Sequence, residues 1–303
     1  MAKITLGLPY KGSKAAIAED IVKKLPPGGR ILDACCGGGA FLMAAAMSLK
    51  WDSVVGNDLN KATIKLLDAV LIHKGQIDYE HPAPCSRVDF FNSLQRIENG
   101  DFDIQDCVNK YCASFGNDGK TYLYGEQIEE YKLIAEKMLT ATTLSERRSN
   151  YRKFFDIMTK KDDDGRLQKL EFVQRLQSLE RLERLERLDI FDIDYKGFDV
   201  VYFDPPYKGT NKYDFEFDYD RFYDLFKSLK TDLKINAFLS EYDAPFTCVA
   251  EFEKTQLMAA SVGSSKSTTM EKLYFNGTAD EYRELMGRFY DDGAQKDCQQ
   301  SLF

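Results

Sequence analysis

The chain has 303 residues, 44% hydrophobic content and a formal net charge of −8 at neutral pH. That length and apolar content suffice to bury a full core in one large or two modest domains. The acid excess excludes a protein that coats nucleic acid through a broad cationic field, although residues 141–189, with 12 Lys/Arg against 10 Asp/Glu, leave room for a local basic surface.

The longest apolar runs, such as Ala40 to Met47, are far short of the roughly 20 residues of a membrane span, and the N-terminus lacks a charged-then-apolar leader pattern. A cytoplasmic protein without a membrane partner is expected. Seven cysteines, at 35, 36, 85, 107, 112, 248 and 298, form no CxxC pair, and His73 and His81 are the only histidines. Neither a disulfide framework nor a metal site is expected. Cys35 and Cys36 read as small side chains packing a tight glycine turn.

In chain order, a helical stretch over Lys14 to Leu25 meets the breaker Pro26-Pro27-Gly28-Gly29, and strand RILDACC follows. Next come a helix over Ala40 to Lys50, strand SVVGNDL and a helix from Asn60 to about Lys74. The alternation resumes with strands IFDID, DVVYFDP, INAFLSEY, FTCVAEF and EKLYFNG, with a helix over Arg221 to Lys230 after the second. Such alternation predicts an α/β fold with a doubly wound, mainly parallel, Rossmann-like sheet.

Residues 81–188 break this scheme. They open on HPAPC and continue as polar, helix-prone sequence with one glycine turn, FGNDGKTYLYG; a mostly helical insertion between sheet segments 1–80 and 189–303 is expected. Leucines at 176, 179, 182, 185 and 188 recur every three residues, a spacing that drifts around a helix instead of forming one stripe. Glu180–Arg184 and Glu183–Arg187 stand at the favourable i,i+4 offset, so the run reads as a charged spacer helix feeding strand IFDID.

Three places carry chemistry. Strand RILDACC runs into Gly37-Gly38-Gly39 at a helix start, where backbone can approach a ligand and N–H groups stand unpaired. The dinucleotide fingerprint would need glycine at 42, and the chain has Leu42. Asp58 ends the second strand, 21 residues after Gly37, where a carboxylate can accept ribose hydroxyls of an adenosine-containing cofactor or simply cap the next helix.

The third place is DPPY, Asp204-Pro205-Pro206-Tyr207, at the end of an apolar strand. An aromatic amine is a poor nucleophile because its lone pair is delocalised into the ring. Hydrogen bonds from that NH₂ to the Asp204 carboxylate and the Pro205 carbonyl favour a pyramidal nitrogen, the prolines hold the acceptors rigid, and Tyr207 can stack on the base. A strand-terminating turn is the bland alternative. A hydride-transfer enzyme using NAD leaves the tetrapeptide unexplained.

With these residues in place, the chain resembles the DNA adenine (N6) methyltransferases in which a recognition domain interrupts the sheet before DPPY, many of them phage enzymes. LPYKGSK at 8–14, ILDACCGGGAF, GNDLN and VVYFDPPYKGT match the family's motifs in order, and SFGNDGKTYLYG and the leucine triplets also look like phage members. The resemblance implies a site-specific enzyme that moves a methyl group from S-adenosylmethionine to adenine N6, with no metal. Cytosine N4 and a protein glutamine amide are the nearest alternative acceptors.

By the same resemblance, Tyr10 and Lys14 contact the cofactor, Asp33, Gly37 and Gly39 hold its methionine portion, and Asp58 holds its ribose. Asp194 and Tyr195 border its adenine. Asp204, Pro205, Pro206 and Tyr207 hold the target base. The family usually has phenylalanine where this chain has Cys35. Double-stranded DNA is the implied partner, in a restriction–modification setting or alone. Arg147, Arg148, Arg152 and Lys153 are candidate phosphate contacts or a solvated helix face, and Lys208, Thr210, Asn211 and Lys212 candidate supports of a flipped strand.

Overall fold

The computed structural model describes residues 6–8, 10, 12–73, 84–158, 182–207, 217–257 and 266–288. Contacts divide the chain into two compact units. The first is Met1–Gly7, Ser13–Asn60 and Leu179–Phe303; the second is Leu8–Gly12 and Lys61–Ser178. Among the described residues no helix is long and apolar enough to cross a membrane.

The first unit is a sheet of seven strands: β1 (Gly28–Asp33), β2 (Trp51–Asn57), β3 (Leu182–Glu186), β4 (Val200–Phe203), β5 (Asn236–Glu241), β6 (Thr247–Leu257) and β7 (Lys266–Phe275). Their order across the sheet is β3-β2-β1-β4-β5-β7-β6. The first five pair in parallel, and β7 runs antiparallel to both β5 and β6. Strand order reverses between β1 and β4, and open α/β sheets bind ligands beyond the strand ends at such a switch point.

Both faces of the sheet are covered, which is why its central strands read as unbroken apolar runs. Leu32, Val201, Phe203, Ala237 and Leu239 alternate onto one face and pack on Phe222, Phe226 and Leu229 of the helix Tyr219–Thr231. On the other face α2 (Ala40–Ser48), buried along seven consecutive residues, stacks Phe41 on Tyr202 at 3.8 Å. Helix α1 (Ala18–Lys23) packs beside α2. Asn57, fully buried at the end of β2, donates from Nδ2 to the carbonyls of Ala34 and Leu188 and accepts from the Leu188 amide, tying three strand ends together.

Two expectations fail here. The leucine triplets do not form a spacer helix where they are described: Leu182–Glu186 is strand β3. A register shift pairs Val54 with Leu182 and Val55 with Arg184, skipping Glu183, and Gly56 with Leu185. A bulge that absorbs one residue puts positions three apart on one face, so the spacing that cannot make a helical stripe suits a bulged strand. Glu183 meets Arg30 and Ser53 instead of Arg187. The leucines at 176 and 179 lie outside the described residues.

Nor is IFDID a strand. Asp189 accepts the Phe191 amide through its side chain and the Asp192 amide through its carbonyl, which closes a turn. Ile190 and Ile193, three apart, both point into the core.

The second unit is helical among its described residues: α3 (Lys61–Leu71), α4 (Arg87–Asn99), α5 (Ile104–Cys112), α6 (Glu126–Thr140) and α7 (Leu144–Met158), with one 3₁₀ turn at Phe115–Asn117. Ser86 with Asp89, and Asp103 with Asp106, close reciprocal capping boxes on α4 and α5, which satisfy amides that a helix start leaves unpaired. The glycine turn is closed by a Ser114–Tyr122 bridge. Helix α3 joins this unit through Thr63, whose hydroxyl meets that of Tyr111 at 2.5 Å.

Candidate active site

Strand alternation aims the residues that follow β4. Tyr202 faces α2 and its hydroxyl meets Ser240 Oγ at 2.8 Å; Phe203 faces the opposite side, edge-on to Phe222 and Phe226. Asp204 has the parity of Tyr202. There Lys14 Nζ lies 2.8 Å from Asp204 Oδ1 and 3.1 Å from Glu271 Oε1. The Tyr207 hydroxyl donates to the same Glu271 oxygen at 2.7 Å, and the Lys14 ammonium sits 4.7 Å from the centre of the Tyr207 ring. Tyr242 packs edge-on to that ring at 4.6 Å. The Tyr219 hydroxyl donates to the Pro206 carbonyl and pins the segment from the side.

Lys14 is only 5% exposed. Burial opposes its positive charge, yet Asp204 and Glu271 outweigh that and hold its pKa above the ordinary lysine value. It is therefore a fixed cation bridging two carboxylates. Burial, followed by the charges of Asp204 and Glu271, raises the Tyr207 phenol, so Tyr207 stays a neutral donor.

At the neighbouring end of β1 the chain turns through Gly37 and Gly39, whose φ values of 46° and 77° lie in the left-handed region open mainly to glycine. The Gly37 amide donates to Asp58 Oδ2 and the Asn60 amide to Asp58 Oδ1, each at 2.8 Å. Gly7 lies against this loop, where a Cβ would stand 2.7 Å from the Ala40 nitrogen and the Gly38 oxygen. Burial raises the Cys35 and Cys36 thiols well above their ordinary range, with Asp58 and Asp33 adding to it, so both remain neutral packing groups.

Asp33 is 1% exposed, and neither carboxylate oxygen meets a hydrogen-bond partner of good geometry among the described residues. Burial, then the charges of Asp204 and Asp58, push its pKa well up, against smaller help from the Cys35 amide and Lys14. A buried acid left so poorly compensated suits a ligand that brings its own cation or donors. Together with the glycine approach, it fits the amino-acid end of S-adenosylmethionine.

Of the residues expected from sequence, Lys14, Asp33, Gly37, Gly39, Asp58 and Asp204 to Tyr207 gather around the C-terminal ends of β1 and β4 in the first unit. Tyr195 is buried, with its hydroxyl on the Ile190 carbonyl at 2.6 Å, and Asp194 is exposed and accepts from the Lys196 amide. Tyr10 belongs to the second unit, with its ring 5.8 Å from that of Tyr111. Arg147, Arg148, Arg152 and Lys153 are all exposed on α7. Arg147 and Arg148 border a groove with Leu139, Leu144 and Tyr151. Lys208, Thr210, Asn211 and Lys212 lie outside the described residues.

Sequence reasoning missed Glu271, Tyr219 and Asn57. Glu271 had a signal: it shares strand parity with Leu273 and Phe275, both buried, and a carboxylate on the apolar face of a strand calls for a partner.

Over residues 10–274 the chain matches the family model described as D12 class N6 adenine-specific DNA methyltransferase. The chain belongs to this family. Among curated proteins none matches it significantly. Among solved structures it is similar to two structures of the rRNA methyltransferase AviRa from Streptomyces viridochromogenes. One is 14% identical, with 91% of this chain and 90% of that one covered and a TM-score of 0.38. The other is 16% identical, with 90% of each chain covered and a TM-score of 0.35. As a D12 enzyme it is a DNA methyltransferase dependent on S-adenosylmethionine, and its product is N6-methyladenine.

Proposed function

We propose that this D12 methyltransferase modifies one adenine in a specific double-stranded site, rotated out of the duplex, with Asp204 and the Pro205 carbonyl gripping the N6 amino group and Tyr207 stacking on the base. The observation that carries this reading is the Lys14–Asp204 contact of 2.8 Å, because it holds the carboxylate in one orientation before any substrate arrives. Preorganised acceptors need no rearrangement as charge develops. When bound, S-adenosylmethionine supplies a methyl group already activated on a sulfonium, so the protein's task is alignment.

Asp33 would take the amino group of the methionine portion, the glycine turn would lie along it, and Asp58 would meet the ribose. As nitrogen gains its fourth bond, Asp204 balances the positive charge that appears there, and the amine's proton then departs to solvent. No metal is required by this division of labour. Arg147, Arg148, Arg152 and Lys153 would contact phosphates. The place of action is the cytoplasm of a bacterial or phage-infected cell.

The test is transfer of labelled methyl groups to unmethylated duplex DNA, followed by nucleoside analysis. Asp204→Ala is expected to lower kcat by at least about 10²-fold, the scale for losing one preorganised polar contact to the reacting group, with S-adenosylmethionine affinity within a few-fold of the parent. Retained turnover would refute the role of Asp204.

A further inference from the structure

We propose that Glu271 is a positioning residue for methyl transfer, holding Lys14 and Tyr207 so that both are in register with Asp204. It lies on β7, two strands from β4, in a part of the sheet where no motif of the sequence suggested a functional residue. Its side chain is 1% exposed, and a single oxygen, Oε1, receives the Lys14 ammonium at 3.1 Å and the Tyr207 hydroxyl at 2.7 Å.

The geometry makes three groups depend on this one atom. Lys14 has a long, rotatable stem with four methylenes, and a single carboxylate fixes a point charge poorly; the second, from Glu271, defines where the ammonium sits, and so how Asp204 is turned. Tyr207 follows the two prolines on a segment that leaves the sheet, and its hydroxyl bond to Glu271 sets the ring plane against Tyr242. β7 is well suited to the task because it is hydrogen-bonded on both sides, with Glu271 opposite Phe252 of β6 and the Glu241–Lys272 pair of β5 and β7 beside it. Glu271 thus transmits the rigidity of the sheet to the two elements that meet the base. Separated from the reacting nitrogen by Lys14 and Asp204, it acts through Lys14 and Tyr207.

This inference rests on Asp204 being the amine acceptor, and the experiment separates the two. Glu271→Ala, Glu271→Gln and Tyr207→Phe are compared with Asp204→Ala in steady-state transfer to duplex DNA, alongside S-adenosylmethionine binding by calorimetry. Glu271→Ala is expected to lower kcat roughly 10–100-fold, the scale for slight misplacement of reacting groups, with KM for DNA and cofactor affinity nearly unchanged. Glu271→Gln keeps an oxygen in the same place and should recover most of the lost rate. Wild-type kcat in Glu271→Ala would overturn the proposal, and so would a loss that appears in cofactor affinity or that Glu271→Gln fails to relieve. Should Glu271→Ala not fold, Tyr207→Phe decides: it keeps the ring and removes the hydroxyl that bonds Glu271, and an unchanged kcat would overturn the proposal. Full activity in Asp204→Ala would instead strike the Asp204 reading itself.

Discussion

Replacing Asp33 by asparagine should make the protein more stable and a worse enzyme. The side chain is 1% exposed, has no well-formed hydrogen bond to either oxygen among the described residues, and faces the negative charges of Asp204 and Asp58. Its folded-state pKa is raised well above the ordinary 3.8. The unfolded chain therefore loses this proton first as pH rises. Asp33 favours folding fully only below its unfolded pKa, and that contribution drains away as pH climbs from about 4 toward the folded value.

Asparagine does not titrate, so the variant should match the parent near pH 4 and gain on it progressively toward neutrality. An uncompensated buried carboxylate costs several kcal/mol, while a buried amide keeps about 1–3 kcal/mol of that penalty, so the net gain at pH 7.5 is on the order of 1–3 kcal/mol. At roughly 2–4 °C per kcal/mol for a chain of this size, thermal melts at pH 4, 6 and 7.5 resolve it. Loss of a charged hydrogen bond to the methionine ammonium, worth about 1.5–3 kcal/mol, should weaken S-adenosylmethionine binding by roughly 10–150-fold, measured by calorimetry. A variant that is less stable at pH 7.5, or that binds the cofactor as the parent does, would refute this account of Asp33.

Gly56 sits where an added Cβ would stand 2.8 Å from Leu185 and 2.9 Å from Leu42; Gly56→Ala should lower stability by about 1–3 kcal/mol through overpacking between α2 and β3, read from denaturant midpoints. Arg147→Glu with Arg148→Glu should weaken DNA binding and reduce the slope of log affinity against log salt by at least about two. Fluorescence anisotropy across a salt series checks this, and an unchanged slope would remove both arginines from the interface.

How much was legible in the sequence depends on the range of the interactions involved. β1, α2, β2 and β4 were readable because each is fixed by neighbours in the chain: apolar runs of strand length, glycines at the turn and an acid at each strand end. The leucine triplets misled because periodicity was judged against a regular helix, whereas β3 gains its regularity from a bulge against β2. IFDID misled in the same way, its buried isoleucines at 190 and 193 belonging to a turn that Asp189 closes. Lys14 was named from sequence as a cofactor contact, but its two carboxylate partners, 190 and 257 residues away in the chain, could not be.

The sequence by itself determined the reaction. DPPY, the glycine turn and Asp58 are local arrangements legible from residue type and spacing, and the order of these motifs carried the family. Only the tertiary structure decided how the acid is held. Lys14 comes from the segment before α1, Asp204 from the end of β4, Tyr207 from beyond the prolines and Glu271 from an antiparallel strand near the far edge. Their union exists only when the sheet closes, since hydrogen bonds of about 3 Å between residues so distant along the chain depend on the packing of strands, which no local pattern encodes.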